Sequence, residues 1–228
     1  NGILKAKNRL KTTVLPDCVS LGILKSDEAL NLRSKYSVNE NYAIIGNIAN
    51  HTSAKDLFTF IYVVDYLVNV IGKKDVVFFQ IGEFTKLTSS LLNIVKQRKL
   101  EDFIIFTDKI ENAFCLNTQF DLFLLTSERE GGPTSVLEAM LMGTPVVTTN
   151  VGIVKDVIID GVNGFVSAIK DYKSLAEKID LLLKDQNLQK KFIVKSKSII
   201  ENEFDASKIA QRTFMEYEKI INTGQYLY

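Results

Sequence analysis

The chain has 228 residues, of which 46% are hydrophobic and 24% are charged, and its net charge is +1. This composition is typical of a globular protein long enough for one large α/β domain, with or without a helical extension. The balanced charge gives no reason to expect nucleic acid as a partner, no apolar run approaches the roughly 20 residues of a membrane span, and the first residues show no secretory signal pattern.

Short apolar segments alternate with helical patterns along most of the chain. The predicted strands are 42–48, 75–81, 103–106, 120–125, 145–148 and a short strand that follows the turn at 160–164. The predicted helices are 26–36, 53–71, 85–99, 111–117, 133–142, 172–185, 187–201 and 205–222. This alternation predicts a parallel six-stranded sheet with helices on both faces, followed by a helical segment at the carboxyl end of the chain.

Two of these helices have specific cap residues in the prediction. The first follows Ser26-Asp27-Glu28, and the second follows Thr52 or Ser53 and ends at Gly72. Lys55 therefore falls in the first turn of the second helix, where a cation opposes the helix dipole. A bound anion such as a diphosphate would relieve this opposition, and the neighbouring Asp56 is the simpler compensation.

The segment from Ser127 to Glu138 carries the most chemical information. It places Glu130 in a loop and Glu138 about two turns into a helix, with a Gly-Gly-Pro turn between them. The first amides of that helix offer a seat for a phosphate, and carboxylates accept hydrogen bonds from sugar hydroxyls. This combination suits a nucleotide sugar. The simpler alternatives are two surface glutamates, glycines that only make the turn, and a helix cap at Thr134 or Ser135.

The carboxyl ends of parallel strands meet at one edge of a sheet, where ligands bind. Four segments end predicted strands in this way, namely Gly46-Asn47, Gly82-Glu83, Thr107-Asp108 and 127–132. We therefore expect these segments to converge on one crevice.

The remaining chemically versatile side chains favour neither a metal site nor a disulfide. Cys18 and Cys115 are not part of any CxxC motif, so we expect two free thiols. The chain has a single histidine, His51, which we expect at the surface rather than in a role as a general base. No Asp-x-Asp pair is present to hold a divalent cation on a diphosphate, so we expect neither a metal ion nor another cofactor.

The segment around Glu130 and Glu138, together with the strand-end segments, resembles the carboxy-terminal, donor-binding half of a retaining glycosyltransferase with the two-domain GT-B fold, in family four (glycosyl transferases group 1). Glu130 and Glu138 match the Glu-x7-Glu signature of that family, and the segments around them match in order and spacing: Ser127, Gly131, Pro133, Ala139-Met140, Gly143–Val147 and Asp160-Gly161-x-Asn163-Gly164. Upstream, Asn1-Gly2-Ile3 resembles the segment that joins the two domains, and Ile45–Ile48 with Lys55-Asp56 resembles the loop that carries a basic pair onto the diphosphate. Two positions depart from the family pattern. Asn47 stands where a basic residue is expected, and Asp108 replaces a glycine.

The resemblance implies a Rossmann-like domain that forms one half of a GT-B fold. It divides the chain into a leading interdomain segment (1–23), a nucleotide-sugar-binding domain (24–170) and carboxy-terminal helices that pack on that domain (171–228). Glu130 would contact the donor sugar as the catalytic residue, and Glu138 would accept hydrogen bonds from the ribose diol. The other implied donor-binding residues are Gly46, Asn47, Lys55, Lys109, Ile110, Gly131, Gly132, Pro133, Thr134, Ser135 and Val136.

The implied reaction is a retaining, metal-independent transfer of a glycosyl group from a UDP-, GDP- or ADP-sugar. A missing amino-terminal domain would bind the acceptor, which would be a glycan, a lipid-linked molecule or another acceptor. The full enzyme would be cytoplasmic. The lysines between 190 and 197 are expected to form a solvated helix face, with peripheral association at the inner face of the membrane as the alternative.

Two other functions remain open at this level. A sugar-nucleotide epimerase of the same fold would use a similar cleft, and a non-catalytic module would bind nucleotide without turnover. A dehydrogenase and a P-loop enzyme are disfavoured, because neither G-x-G-x-x-G after the first strand nor G-x-x-x-x-G-K-[ST] is present.

Overall fold

The computed structural model describes residues 14–20 and 30–222. Its sheet has six parallel strands in the order β3-β2-β1-β4-β5-β6, which confirms the predicted fold class. The strands are β1 (Ala43–Ile48), β2 (Val76–Ile81), β3 (Ile104–Thr107), β4 (Leu122–Leu125), β5 (Val146–Thr149) and β6 (Phe165–Ser167). Each strand falls within two residues of its prediction because each is a short apolar run that is largely or fully buried.

Eight α-helices accompany the sheet in the described residues. They are α1 (Leu32–Tyr36), α2 (Leu57–Asp65), α3 (Thr88–Gln97), α4 (Thr134–Met142), α5 (Val154–Val157), α6 (Tyr172–Lys184), α7 (Gln186–Ile199) and α8 (Ala206–Asn222). Short 3-10 helices cover Ser53–Lys55 and Ala113–Gln119, and π-helical turns cover Tyr66–Ile71 and Ile200–Phe204. The helix α5 was not predicted, since four residues are too few to show a helical period.

The start of the first helix differs from its prediction. Asn31 caps α1, and its side chain accepts a hydrogen bond from the amide of Ser34. The predicted cap at residues 26–28, like the segment 1–3, lies outside the described residues.

Two hydrophobic cores lie on the two faces of the sheet. Helices α2, α3, α6 and α7 pack over one face, where Phe60 and Phe78 are fully buried. Helices α1, α4 and α5 and the 3-10 helix Ala113–Gln119 pack over the other face, where Phe79 and Phe123 are fully buried. Because successive side chains of a strand point to opposite faces, the neighbours Phe78 and Phe79 belong to different cores.

The start of α2 corrects the predicted cap. Neither Thr52 nor Ser53 caps the helix, because the chain first makes the 3-10 turn Ser53–Lys55. Asp56 then adopts a left-handed conformation with φ of 43°, and its carboxylate accepts hydrogen bonds from the amide (3.3 Å) and hydroxyl (2.7 Å) of Thr59. A short acidic side chain tolerates this conformation and satisfies a free amide at the helix start. Lys55 therefore lies in the turn before α2 and not in its first turn.

The junction between β1 and β4 is the place where the strand order reverses. β1 pairs with β2 over six residues but with β4 over only two, Ile45 with Leu122 and Gly46 with Phe123. Side chains supplement this short ladder. Asn47 donates from Nδ2 to the carbonyl oxygen of Leu124 at 2.8 Å, and the carboxylate of Asp121 accepts from the amide of Ile44 at 2.7 Å. Ligand-binding crevices of doubly wound sheets form at such a reversal.

Candidate functional site

A cleft of about 320 Å³ opens at the carboxyl edge of the sheet, above the junction of β1 and β4. Residues at the ends of four strands contribute to its lining. Of the four segments predicted to converge, Gly82-Glu83 and 127–132 contribute lining residues, whereas 48–50 and 109–110 line the cleft in place of Gly46-Asn47 and Thr107-Asp108. The lining residues are Ile48, Ala49, Asn50, Lys55, Ile81, Gly82, Lys109, Ile110, Ala113, Glu130, Gly132, Pro133, Thr134, Ser135 and Glu138.

Two oppositely charged side chains of the predicted site meet in this cleft. The Nζ atom of Lys55 lies 2.6 Å from Oε1 of Glu130, and the hydroxyl of Ser127 donates to the same oxygen at 2.6 Å. The side chain of Glu130 is 10% exposed and that of Lys55 is 27% exposed. Burial of this degree reduces solvent screening, so the attraction is stronger than in a surface ion pair.

Hydrogen bonds join the loop that carries Lys55 to the loop that carries Glu130. The carbonyl oxygen of Ala54 accepts from the amides of Glu128 (2.8 Å) and Arg129 (3.2 Å). The hydroxyl of Thr126 donates to the carbonyl oxygens of Lys55 (3.3 Å) and Asp56 (3.2 Å). The backbones of the two loops are therefore held as one unit.

The two strand-end hydroxyls of this site were given no role in the sequence prediction. Ser127 is fully buried and binds Glu130, while Thr149 at the end of β5 donates to the carbonyl oxygen of Ser127 at 2.7 Å. The available signal was a hydroxyl side chain at the carboxyl end of a buried strand, directly before the acidic loop. Together these bonds fix the origin of the loop that carries Glu130.

The amino end of α4 faces the cleft with unpaired amides. Pro133 occupies the cap position without a side-chain hydrogen bond, so the alternative of a helix cap at Thr134 or Ser135 is wrong. In the described part of the chain, no acceptor pairs with the amides of these two residues. Val136 is different, because it is buried and its amide donates to the carbonyl oxygen of Pro133 at 2.9 Å. Its amide is therefore engaged within the protein and is not one of the unpaired amides at the start of α4.

Glu138 lines the same cleft from the second turn of α4. Burial raises the pKa of its carboxyl group above the ordinary value. A carboxylate in such a place gains from hydrogen-bond donors, since it has lost much of its hydration.

The glycines of the site separate into three cases. Gly132 lines the cleft, and a Cβ atom there would lie 1.9 Å from a carboxylate oxygen of Asp17. Gly131 is exposed, its φ is not positive, and no atom lies within 4 Å of such a Cβ position, so the structure shows no steric reason for glycine at this residue. Gly152, which the sequence prediction missed, has φ of 53° and allows the next loop to approach the carbonyl oxygen of Gly131.

The two predicted donor-binding residues of β1 do not reach the cleft. Gly46 is buried, and a Cβ atom there would lie 2.1 Å from the ring of Phe120. Asn47 is fully buried, with its amide bound to Leu124 and its Oδ1 accepting from Gln80 at 3.3 Å. Both residues shape the interior of the sheet and do not line the cleft, whose lining at this strand consists of the following residues, 48–50.

Lys109 and Ile110 line the cleft where the sequence prediction placed them. The preceding residue, Asp108, holds this part of the cleft in place. Its carboxylate accepts hydrogen bonds from the backbone amides of Lys109 (2.7 Å) and Phe84 (3.2 Å). These backbone hydrogen bonds lower the pKa of the Asp108 carboxyl group.

The position of His51 corrects the predicted surface location. The residue is 1% exposed, its Nδ1 lies 2.8 Å from the hydroxyl of Thr88, and its Nε2 contacts Oε1 of Gln80. Gln80 donates from Nε2 to the carbonyl oxygen of Ala49 at 2.6 Å, which leaves Oε1 to accept from the His51 ring. Burial lowers the pKa of His51, so the ring is neutral and serves as a buried link beneath the cleft.

Both cysteines are free thiols, as predicted. Among residues 14–20 and 30–222, no group of three or more His, Cys, Asp and Glu side chains is placed to hold a metal ion. Over the same ranges, no helix combines the length and the apolar character that crossing a bilayer requires.

Comparison with known proteins gives this cleft a family context. The chain is 28% identical over 189 residues to N-acetyl-alpha-D-glucosaminyl L-malate synthase of Bacillus anthracis, which covers 83% of this chain and 48% of the relative. The fold is similar to that of a glycosyltransferase from Rickettsia africae ESF-5, with a TM-score of 0.82, 20% identity, and coverage of 92% of this chain and 57% of the other. It is also similar to Anabaena Alr3699/HepE in complex with UDP-glucose, with a TM-score of 0.79, 21% identity, and coverage of 89% and 56%.

The chain spans about half the length of these relatives. The family described as glycosyl transferases group 1 matches residues 29–198, which is more than half of the chain and includes every lining residue of the cleft. The chain therefore belongs to the glycosyl transferases group 1 family.

Proposed function

We propose that this chain binds the nucleotide-sugar donor of a retaining, metal-independent glycosyltransferase. One observation carries the proposal: Lys55, Glu130 and the unpaired amides at the start of α4 converge in one cleft, at the reversal point of the sheet. A cation and free helix amides suit a diphosphate, while a carboxylate suits sugar hydroxyls.

The proposed roles follow from these positions. Lys55 and the amides of Thr134 and Ser135 bind the diphosphate and stabilise the charge that develops on it as the glycosyl group departs. Glu130 accepts hydrogen bonds from the donor sugar and orients it for attack on the same face. Glu138 accepts from the ribose diol.

Lys109 and Ile110 contribute to the base-binding corner of the cleft. Support for a uridine nucleotide comes from the similar fold of Alr3699/HepE, which was solved with UDP-glucose. Guanosine and adenosine diphosphates remain within the proposal, because nothing in the described cleft singles out one base.

In this proposal, the site that binds the acceptor lies in a part of the enzyme beyond this chain. Since the chain covers about half of its curated relatives, we propose that the other half binds a glycan, lipid-linked or other acceptor in the cytoplasm or at the inner membrane face. An epimerase would release an altered sugar nucleotide without any acceptor, so product analysis of the full-length protein separates the two reactions.

A binding screen tests the donor assignment. UDP, GDP, ADP and their common sugar conjugates are titrated into the chain by calorimetry, with and without EDTA. We expect one nucleotide to bind equally well in both conditions, and we expect Glu138→Ala to weaken that binding because the ribose loses its acceptor. Glu177→Ala is the matched control, since this glutamate is an exposed residue of α6 outside the cleft. The assignment fails if the folded chain binds none of the ligands, or if the two variants behave alike.

A further inference from the structure

Within the cleft, the carboxylate of Glu130 already neutralises the charge on Lys55. Its ammonium group contacts Glu130 at 2.6 Å, and Ser127 holds the same carboxylate oxygen in place. Lys55 is also the more enclosed of the two lysines that line the cleft, since Lys109 is exposed. The cation best placed to hold a diphosphate is therefore occupied by the carboxylate that is proposed to hold the sugar.

The geometry leaves Lys55 little freedom to satisfy both partners. Its backbone is tied to the acidic loop through the bonds from Thr126, and Ala54 beside it accepts two amides of that loop. Only the side chain can turn. The ammonium group has three donors, so it can bind a phosphate oxygen while it keeps Glu130, but the phosphate and the carboxylate then lie close together and repel each other. Lys55 therefore binds the phosphate best when it turns away from Glu130.

We propose that Glu130 competes with the diphosphate for Lys55 and thereby weakens the binding of the nucleoside diphosphate product. This inference rests on the proposed donor-binding function. When a complete donor binds, Lys55 turns to the diphosphate and Glu130 gains hydroxyl donors from the sugar. After transfer the sugar hydroxyls are gone, and the carboxylate takes Lys55 back, which favours release of the product.

The test compares variants that remove one negative charge at two places in the same loop. Glu130→Gln keeps the size of the side chain and an acceptor for Ser127, but it removes the charge that faces Lys55. Glu128→Gln is the matched control, because Glu128 pairs with Lys170 at 3.4 Å and lines a different cleft. Calorimetry with UDP, GDP and ADP measures the affinity of each folded protein for the product.

We expect Glu130→Gln to bind the nucleoside diphosphate about three- to tenfold more tightly than the unmodified chain, the range expected for a partly buried ion pair. Glu128→Gln should stay within about twofold of the unmodified chain, because its pair is more exposed. In a Lys55→Met background, the gain from Glu130→Gln should disappear, since there is no longer a lysine to compete for. If the Lys55→Met protein binds no nucleotide measurably, with or without Glu130→Gln, the comparison of Glu130→Gln with Glu128→Gln decides between competition and its absence.

Three results would overturn the competition while leaving the donor site intact. Glu130→Gln could bind the nucleoside diphosphate no more tightly than the unmodified chain, its gain could be matched by Glu128→Gln, or the gain could persist without Lys55. The last result would mean that Glu130 repels the diphosphate directly. By contrast, a folded chain that binds none of the three nucleotides would refute the proposed function itself.

Discussion

Gly46 offers a stringent test of how the sheet is packed beneath the cleft. A Cβ atom at this position would lie 2.1 Å from two carbon atoms of the Phe120 ring and 2.5 Å from a third, whereas ordinary contact is 3.4–4 Å. The buried ring must therefore move by more than 1 Å, and overpacking of this kind costs about 1–3 kcal/mol. We expect Gly46→Ala to lower the free energy of unfolding by that amount, measured by urea denaturation followed by circular dichroism.

A second substitution separates packing from ligand contact. Phe120→Leu makes room beside residue 46, so Gly46→Ala should cost less in that background than in the unmodified chain. The doubly substituted protein should also keep its nucleotide affinity, because Gly46 does not line the cleft. A Gly46→Ala protein with unchanged stability would refute the packing argument, and a doubly substituted protein that is stable but binds poorly would restore the predicted role in donor binding.

Three further predictions follow from polar groups near the cleft. Asp56→Ala should destabilise the chain by about 0.5–2 kcal/mol through loss of the α2 cap, and Asp56→Asn by less, both measured by urea denaturation. Burial lowers the pKa of His51 below 6.5, so the imidazole of the unfolded chain takes up a proton at a higher pH than that of the folded chain. The stability of the chain should therefore decline from about pH 6.5 downwards. His51→Gln should flatten this decline in thermal melts. Because burial raises the pKa of Glu138, Glu138→Gln should be more stable than the unmodified chain at neutral pH, with a difference that shrinks as the carboxyl group becomes protonated in acid.

Each of these predictions has a contrary outcome. An Asp56→Ala protein as stable as the unmodified chain would show that the amide of Thr59 needs no acceptor. His51 is the only histidine in the chain, so an unchanged pH profile in His51→Gln would assign the decline to carboxyl groups. A Glu138→Gln protein that gains nothing at neutral pH would indicate that the carboxylate is better solvated than its burial suggests.

The sheet and the location of the cleft were predictable because they depend on local pattern. Each buried strand is a short apolar run, and parallel strands must bring their carboxyl ends to one edge, so Lys55, Glu130 and Glu138 could be grouped before any coordinates. The two glutamates on either side of the glycine turn were expected in one site, and in the structure both line the same cleft.

The errors concern residues whose role depends on distant partners. Asn47 lies at the end of a strand, a position that predicts contact with a ligand. Its side chain instead forms hydrogen bonds with Gln80 and Leu124, and Leu124 is 77 positions away along the chain. Asp56 takes the cap because the turn before it is fixed by Thr126, which no local pattern reveals. His51 was assigned to the surface for the same reason, since its partners Gln80 and Thr88 follow much later in the sequence.

The two-residue ladder between β1 and β4 has a consequence for how binding spreads through the molecule. It divides the sheet into two blocks of three strands, and the cleft lies across the seam between them. A ligand that contacts both Lys55 and the start of α4 links the two blocks of strands across this seam. Its binding free energy then opposes separation of the blocks, so amide hydrogen exchange should slow throughout both blocks and not only beside the ligand.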